Sequence, residues 1–447
     1  MSEEMRMAIG LIIGLIALVV LITMTKIHVF LAVILCSIFI GLFGGMSQSD
    51  VVDAITSGFG KSLSSIGIII GFGVMLGKLL EISGATKVMA DTFIRLFGKN
   101  HEEEALAISG FVTSLSIFCT SGFIILAPLM KALSKKTKKS VVALGIALAG
   151  GLVASHSLVP PAAGPIGVAG ILNVNIGEFM LYGTIISIPI LIVSLIYGKY
   201  LGKHIYQIPD GDSWTRERTE VEVEPIEEAE KTVSPVLCFA PILLPILLII
   251  LKTALSSFGI SNPVTDLIGQ PIVALALGLV VAIYGLTTAY TKQETLNAME
   301  EGLKASGKLM LLVGGGGALG MIIQASGLGD FIASNIVKTS IPPILLPFLI
   351  AVLLRVAQGS GSVAMTTAAS VVAPMVATLH LNPVFAALAA CIGAIPFSHF
   401  NDSYFWVINE TMGIDNTKEQ MQIWSVTTTL CGFAALTTLM ILNAFLG

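Results

Sequence analysis

The residue whose type and position most strongly suggest chemistry is Arg355. It follows an apolar run that starts at Ile341 and is interrupted only by prolines. An arginine at that depth of a membrane is costly unless it is paired or faces a cavity. A planar guanidinium beside hydroxyls and helix-end amides favours the binding of a carboxylate. The candidate substrate-binding residues of this motif are Arg355, Gln358, Gly359, Ser360 and Ser362. The alternative is a structural ion pair with an internal carboxylate such as Asp402, and the two roles are compatible.

A second polar motif, Ser398-His-Phe-Asn-Asp-Ser403, follows the apolar run 384–397. It provides hydrogen-bond donors, acceptors and one carboxylic acid. We expect Asn401 to bind substrate, and Asp402 to carry a coupled proton together with His399. Glu81 has Lys78 one turn away and Glu178 lies near a membrane boundary, which leaves Asp402 as the acid whose burial would favour its protonated form. The alternative is an interfacial loop with an aromatic belt.

A third motif, Ser155-His-Ser-Leu-Val-Pro-Pro-Ala-Ala-Gly-Pro165, contains three prolines that forbid a continuous helix. The freed carbonyls could coordinate a cation or substrate hydroxyls. His156 is a candidate substrate-binding residue, because Ser155-His156 recurs as Ser398-His399. A structural role for His156 is the alternative.

The composition requires a membrane to surround these motifs. Of 447 residues, 55% are hydrophobic and 12% are charged, about half the charged share of a soluble domain. Apolar runs of roughly 20 residues indicate an all-α polytopic membrane protein. Its net charge of −4 arises largely in 203–231, where nine acidic residues outnumber four basic ones, so no nucleic-acid partner is expected.

Neither an enzyme nor a metalloprotein is indicated. The five cysteines are scattered through apolar segments without metal-ligand spacing, and we expect no metal and no cofactor. No HExxH motif is present, and no serine has the surroundings of a nucleophile elbow. The apolar run after the acidic N-terminus lacks a cleavage site and is interpreted as a retained helix.

Internal repetition divides the chain. A shift of 243 residues places Gly71, Gly73 and Gly77 on Gly314, Gly316 and Gly320. The same shift places Ser155-His156 on Ser398-His399. We therefore predict a first membrane repeat at 1–200, an acidic cytoplasmic linker at 201–233 and a second repeat at 234–447.

Lysines predict the topology. They crowd both flanks of the segment 106–133, so both flanks are assigned to the cytoplasm and the segment to a re-entrant hairpin. Its tip is Cys119–Gly122, and the candidate substrate-binding residues there are Thr120, Ser121 and Gly122. Five crossings per repeat would invert the second half, so its hairpin, 342–378 with tip Gln358–Gly361, enters from outside. Two tips meeting at the membrane midplane are typical of transporters.

Three long motifs resemble one family. Arg355-Val-Ala-Gln-Gly-Ser, Ser398-His-Phe-Asn-Asp-Ser-x-Phe-Trp406 and His156-Ser-Leu-Val-Pro-Pro-x-x-Gly-Pro165 are similar to the signatures of the gluconate permease family of proton symporters. The resemblance spans the whole chain. It implies a bacterial inner-membrane carrier for a small hydroxylated carboxylate, with a scaffold and a mobile transport domain that works as an elevator. We also expect a homodimer.

The chain departs from the family pattern at three places. Thr120 stands where an acidic residue is frequent, Ala162-Ala163 replaces a polar residue and proline, and Tyr404 stands where glycine is common. A less polar and more crowded site favours a hydroxy acid shorter than gluconate. A sodium-coupled carboxylate carrier remains an alternative, while Arg355 argues against an antiporter or channel.

Overall fold

The computed structural model describes residues 9–10, 13–14, 16–18, 20–21, 24–98, 100–210, 213–217, 234–260, 262–326 and 342–447. These segments are predominantly helical, as predicted. Their first-half elements are α1 (Val29–Phe43), α2 (Gln48–Ile82), α3 (Ala85–Phe97), α4 (Glu102–Thr113), α5 (Cys119–Thr137), α6 (Val141–Leu158), α7 (Ala163–Leu172), α8 (Ile176–His204), β1 (Ile208–Asp210) and β2 (Ser213–Thr215).

The second half continues the helical pattern. Its elements are α9 (Pro235–Ser257), α10 (Pro263–Ile268), α11 (Pro271–Leu286), α12 (Lys292–Ala325), α13 (Leu345–Gln358), α14 (Gly361–Val372), α15 (Pro383–Gly393), α16 (Ser403–Thr411), α17 (Thr417–Gln420) and α18 (Thr427–Leu446). A 3-10 turn, Ala373–Met375, follows α14, and a π-helical turn, Met421–Val426, joins α17 to α18.

Several described helices are long and apolar enough to cross a bilayer. There are five of them, with α6 and α7 counted as one, and six when α2 is added. The two parts of α2, Gln48–Ser64 and Gly67–Ile82, meet at a bend of 46°. The length of these helices matches the hydrocarbon core of a membrane, so the chain is a multi-pass membrane protein.

Element bounds recur at the 243-residue shift found in the sequence. Shifted in this way, α1 ends where α11 ends and α2 ends where α12 ends. Ser47 and Thr291, which cap α2 and α12, also correspond to within one residue. Likewise α4, α6 and α8 fall on α13, α15 and the α17–α18 segment. The inverted orientation of the two halves remains a prediction.

The second helix break lies where the sequence predicts it, and the first does not. Gly359 and Ser360 separate α13 from α14, as expected for the tip Gln358–Gly361. In the first half the break is Ser114–Phe118, and Cys119–Gly122 instead form the first turn of α5. The hydroxyl of Ser114 closes this turn by donating to the carbonyl of Ile117 at 2.9 Å. The 243-residue shift carries 114–118 onto 357–361, so the two breaks occupy corresponding positions of the repeat.

Glycines allow the backbones of several elements to approach one another closely. A Cβ on Gly58 of α2 would lie 2.3 Å from the carbonyl oxygen of Gly317 in α12. A Cβ on Gly77 would lie 2.0 Å from the carbonyl oxygen of Ser116 in the first break. These glycines therefore allow close helix packing, and Gly77 brings α2 against the first break.

The start of the linker is folded, which the sequence analysis missed. Its short hairpin β1–β2 places the Trp214 ring 5.0 Å from the ammonium of Lys131. The side chain of Gln207 donates to the carbonyl of Met412 at 2.6 Å, and Arg216 pairs with Glu419. This segment thus connects the α5–α6 region to the loop after α16.

Candidate functional site

The second break is built around a backbone that glycine alone tolerates well. Gly359 has φ +78°, and its amide donates to the carbonyl of Arg355 at 2.9 Å, which ends α13. A Cβ at this position would lie 2.2 Å from the carbonyl oxygen of Asn401. The hydroxyl of Ser360 then accepts from the amide of Val363 and begins α14. The break therefore sits tightly against the Ser398–Ser403 motif.

We expect Gly359→Ala to destabilise the protein by about 1–2 kcal/mol through the left-handed backbone alone, with a further loss from the close approach to Asn401. Uptake should fall with it. The measurement is the melting temperature of the purified protein. Gly60→Ala is the matched control, because its Cβ would meet no atom within 4 Å. Equal melting temperatures for the two variants would contradict this account of the break.

Arg355 and Asp402 form a buried ion pair across this break. Their residues are 7% and 8% exposed, and Nη2 lies 2.5 Å from Oδ2. The same Oδ2 accepts from the hydroxyl of Ser398 at 2.5 Å, while Oδ1 accepts from the amide of Tyr404 at 3.0 Å. The structural pairing considered as the alternative role of Arg355 is therefore present. A buried pair of this kind stabilises the fold only while both partners stay satisfied.

The guanidinium is not fully used by this pair. Its Nη1 donates to the carbonyl of Gly359, whereas the buried Nε has no hydrogen-bond partner among the described residues. A buried donor without a partner costs free energy. Arg355 can therefore hold Asp402 and still offer an N–H group to a substrate.

The residues next to Asp402 in the chain hold its loop in place through contacts with the end of α13. Asn401 donates its amide to the carbonyl of Val356 at 2.9 Å, and His399 Nε2 lies 3.2 Å from the same oxygen. His399 and Asp402 are joined by a backbone hydrogen bond, from the amide of Asp402 to the carbonyl of His399. Among the described contacts, the His399 ring makes no hydrogen bond to the Asp402 carboxylate. These contacts fasten the motif to the end of α13.

The first break brings further polar groups to this region. The His156 ring packs on Phe118 with 5.7 Å between centroids. Both His156 and Cys119 lie close enough to Asp402 to interact with it electrostatically. The two breaks, which belong to different halves of the chain, are therefore neighbours.

A small cavity of about 20 Å³ lies beside His156 and the first break. Its polar lining comes from Ser114, Ser116 and His156, and the segment Pro161–Ala163 and α2 complete it. Among the described residues, the hydroxyls of Ser116, Thr113 and Ser155 are buried without a hydrogen-bond partner. Native proteins pair such groups with protein, water or ligand. The cavity is therefore suited to a water molecule or to a single hydroxyl group.

The remaining predicted residues divide into two groups. Thr120 and Ser121 are half-buried in the first turn of α5, but Gly122 packs against α6, since its Cβ would lie 2.6 Å from Leu152. Ser362 approaches the first half, with its hydroxyl 3.6 Å from a Cβ placed on Gly164. The side chain of Gln358 lies outside the described ones.

Sequence reasoning missed the serines of the first break. Ser114 and Ser116 lie within an apolar run and carry no motif of their own. The 243-residue shift was the signal that could have found them, because it places Ser116 on Gly359.

Known proteins are similar to this chain over nearly its whole length. The model of the GntP family permeases matches residues 6–445. A permease of Haemophilus influenzae is 42% identical over 94% of this chain and 89% of its own length. The gluconate permease of Pseudomonas aeruginosa is 32% identical over 100% of this chain and 99% of its own.

A solved structure shares the fold. The antimetabolite efflux pump MtrF of Neisseria gonorrhoeae is 14% identical, with a TM-score of 0.68 that covers 96% of this chain and 97% of its own. That likeness concerns the fold alone. The family model matches nearly the whole chain, and relatives match it over their full length. The protein is therefore a membrane permease that belongs to the GntP family.

Proposed function

We propose that this permease imports a small hydroxylated carboxylate, a gluconate-like sugar acid or a shorter hydroxy acid, together with a proton. The observation that carries the proposal is the buried Arg355–Asp402 pair at the second break, where Arg355 Nε has no hydrogen-bond partner among the described residues. Arginine suits a carboxylate because its planar fork matches two oxygens. The kinship with a gluconate permease supports the same substrate class.

Coupling follows from competition for Arg355. A substrate carboxylate that takes over Nη2 would leave Asp402 as a buried charge without its partner, which is strongly unfavourable. Protonation of Asp402 removes that cost. Ser398 can remain hydrogen-bonded to the neutral acid, since a hydroxyl both donates and accepts. Substrate and proton therefore bind together, and neither is favoured alone.

One hydroxyl of the substrate lies, in this proposal, in the small cavity of the first break. Ser116 offers an unpartnered hydroxyl there, and His156 offers a ring without a hydrogen bond among the described contacts. Hydroxyl groups pair well with both, because each can donate or accept. Recognition is then divided between the halves: the second binds charge and the first binds a hydroxyl.

Tyr404 favours the shorter substrates. Its ring is 4% exposed and packs edge-on against Phe123 and Trp424, with centroids 6.1 and 5.2 Å apart. It thus fills space between α5 and the turn before α18. A site reduced in this way suits a glycerate-sized acid better than a six-carbon chain.

Alternating access is proposed to move the break-bearing helices against α2 and α12. The contact between the two groups is made by small residues, since a Cβ on Gly316 would lie 2.4 Å from the hydroxyl of Ser370 in α14. In this scheme α2 and α12 belong to the scaffold of a bacterial inner-membrane homodimer, 1–200 and 234–447 are its repeats, and 201–233 is the cytoplasmic linker.

A thermal-shift panel tests the substrate class. Lactate, glycerate and gluconate are added to purified protein, with propionate as the acid without hydroxyls and glucose as the neutral polyol. A ligand at a hundredfold excess over its Kd stabilises the folded state by about 2.7 kcal/mol. Stabilisation by at least one hydroxy acid, but not by propionate or glucose, is expected. A panel in which propionate stabilises as well as the hydroxy acids would contradict the hydroxyl recognition.

His156→Ala should raise the KM for the hydroxy acid about threefold to tenfold, the effect of one lost hydrogen bond of about 1 kcal/mol. The same variant should bind propionate no worse than the parent. His204→Ala, at the exposed end of α8, is the matched control. An equal loss of hydroxy acid and propionate binding would assign His156 a structural role.

A further inference from the structure

Ser398 connects the buried acid Asp402 to the segment that leads into α18. Its hydroxyl donates to Oδ2 of Asp402. Its carbonyl accepts from the hydroxyl of Ser425 in the π-helical turn, and its amide donates to Oγ1 of Thr428 in α18 at 3.3 Å. Ser398 and Thr428 are each 1% exposed. Both backbone polar groups of Ser398 are therefore held by one neighbouring segment, which fixes the position of its hydroxyl relative to Asp402.

The residue before Ser398 is held in the same way. The amide of Phe397 donates to Oγ1 of Thr429 at 3.3 Å, and its ring packs edge-on against Phe433 with 6.3 Å between centroids. Phe397 has φ +58°, a backbone conformation that is rare for a bulky residue. Such a conformation persists only where its surroundings enforce it, and it is frequent at functional sites. We name Ser425, Thr428 and Thr429 the hydroxyl bracket.

The helix that carries the bracket is itself irregular. Ser425 lies in the π-helical turn Met421–Val426, and turns of this kind are frequent at functional sites. The hydroxyl of Thr428 donates to the carbonyl of Trp424 at 3.1 Å, and that of Thr429 donates to the carbonyl of Ser425 at 2.7 Å. A hydroxyl has a single proton to donate. Both threonines are therefore oriented as acceptors for the amides of the chain that leads to Asp402.

The internal repeat shows that the bracket accompanies the acid. The 243-residue shift places Asp402 on Val159, and it places the bracket on Tyr182, Ile185 and Ile186. The segment that corresponds to the π-helical turn lies within the continuous α-helix α8. Ser155, the counterpart of Ser398, has a hydroxyl without a hydrogen-bond partner among the described residues. The two threonines and the π-helical turn are thus specific to the half that contains the buried carboxylate.

We propose that the hydroxyl bracket positions Ser398 as a donor to Asp402 and thereby sets how readily Asp402 binds a proton. The role of that proton in transport rests on the proposed function. A hydrogen bond donated to a carboxylate favours its ionised form. A donor that is fixed in place therefore opposes protonation of Asp402 until the substrate displaces Arg355.

Other ionisable groups also lie near Asp402, and the bracket leaves them unchanged. They come from α13, α5, α6, α16 and the loop of Asp402 itself, and they are Arg355, Cys119, His156, Tyr404 and His399. Among the described contacts, none of them forms a hydrogen bond with a hydroxyl of the bracket. An effect of the bracket on Asp402 is therefore expected to require Ser398.

The first test titrates Asp402 in the purified protein and needs no transport. Infrared difference spectroscopy follows the C=O stretch of the protonated carboxyl group against pH, and the band is assigned by its loss in Asp402→Asn. Thr428→Val removes the acceptor and keeps the shape of the side chain. Its titration midpoint should rise by about 0.5–1 pH unit, a part of the effect of a hydrogen bond to a charged group. Thr428→Ser retains the hydroxyl and should retain the midpoint.

The matched control is Thr437→Val, because the exposed hydroxyl of Thr437 donates to Phe433 of its own helix. Ser425→Ala removes the second contact to Ser398 and should also raise the midpoint, which provides a second variant if Thr428→Val folds poorly. In a Ser398→Ala background, Thr428→Val should cause no further shift, since residues that act through one contact are not additive. Midpoints equal to that of the parent, or additive shifts, would overturn the inference and leave the bracket a structural role.

The second test measures the pH dependence of uptake in sodium-free proteoliposomes. Under proton symport the rate falls at alkaline pH, where Asp402 stays ionised, and Thr428→Val should move this fall to higher pH by the same amount. A wild-type rate without this fall, together with a shifted infrared midpoint, would reject proton coupling and leave the inference intact. An unshifted midpoint with pH-dependent uptake would reject the inference alone. A carboxyl band that Asp402→Asn never changes would overturn both.

Discussion

Replacing Arg355 by lysine should weaken substrate binding about tenfold to a hundredfold while the protein still inserts in the membrane. The guanidinium contacts Asp402 and the Gly359 carbonyl at once and keeps Nε for a ligand. A lysine ammonium is a single point donor and lacks this fork. A hydrogen bond to a charged group contributes about 1.5–3 kcal/mol, and every 1.4 kcal/mol is a factor of about ten in affinity.

The measurement is the KM for uptake of the acid that the thermal-shift panel identifies. Arg216→Lys is the matched control, because Arg216 makes a bidentate ion pair with Glu419 on an exposed surface and lies outside the proposed site. It should leave the KM unchanged, since exposed pairs contribute little. Insertion is checked by the yield and elution profile of the purified variant. An Arg355→Lys protein that folds and keeps its KM would remove Arg355 from the substrate site.

Asp402→Asn should separate exchange from accumulation. Asparagine imitates the neutral acid, so Arg355 is available to substrate at any pH, and counterflow exchange should continue. Without a proton to carry, the variant should no longer concentrate substrate when only a pH gradient is imposed. The substitution should preserve the local fold, because Asp402 caps α16 and asparagine is an equally good cap.

Two assays on one set of proteoliposomes measure this difference. Exchange of labelled for unlabelled substrate reports binding and movement, and pH-driven accumulation reports coupling. Asp415→Asn serves as the control, since Asp415 lies in the exposed loop after α16. Continued accumulation by Asp402→Asn under a pH gradient would show that another group carries the proton.

The second break could be predicted from its local sequence. Gly359 and Ser360 interrupt an apolar run with a residue that favours positive φ and a residue that caps helices, so the break could be placed from sequence. Arg355 was identified as a candidate because ionisable groups in apolar runs are rare, and Asp402 was identified by elimination of the other internal acids. Their pairing joins residues 47 positions apart, and the sequence offered it only as one alternative.

The first half was less predictable because its break carries no conspicuous residue. Ser114–Phe118 contains neither glycine nor proline, and the turn depends on one serine hydroxyl and on the approach of α2 at Gly77. The glycine at 122, by contrast, looked like a tip but packs against Leu152. The folded start of the linker could not be predicted either, because Gln207 and Arg216 bond to residues beyond 410 in the chain. Long-range contacts decide these positions.

Substrate-driven proton movement tests the central proposal most directly. Wild-type protein is reconstituted in sodium-free liposomes with a pH-sensitive dye inside, and the hydroxy acid is added outside at equal pH. The proposal predicts acidification of the interior that requires the substrate and is absent with Asp402→Asn. Uptake that leaves the internal pH unchanged and proceeds only when sodium is added would contradict it and identify a sodium-coupled carrier.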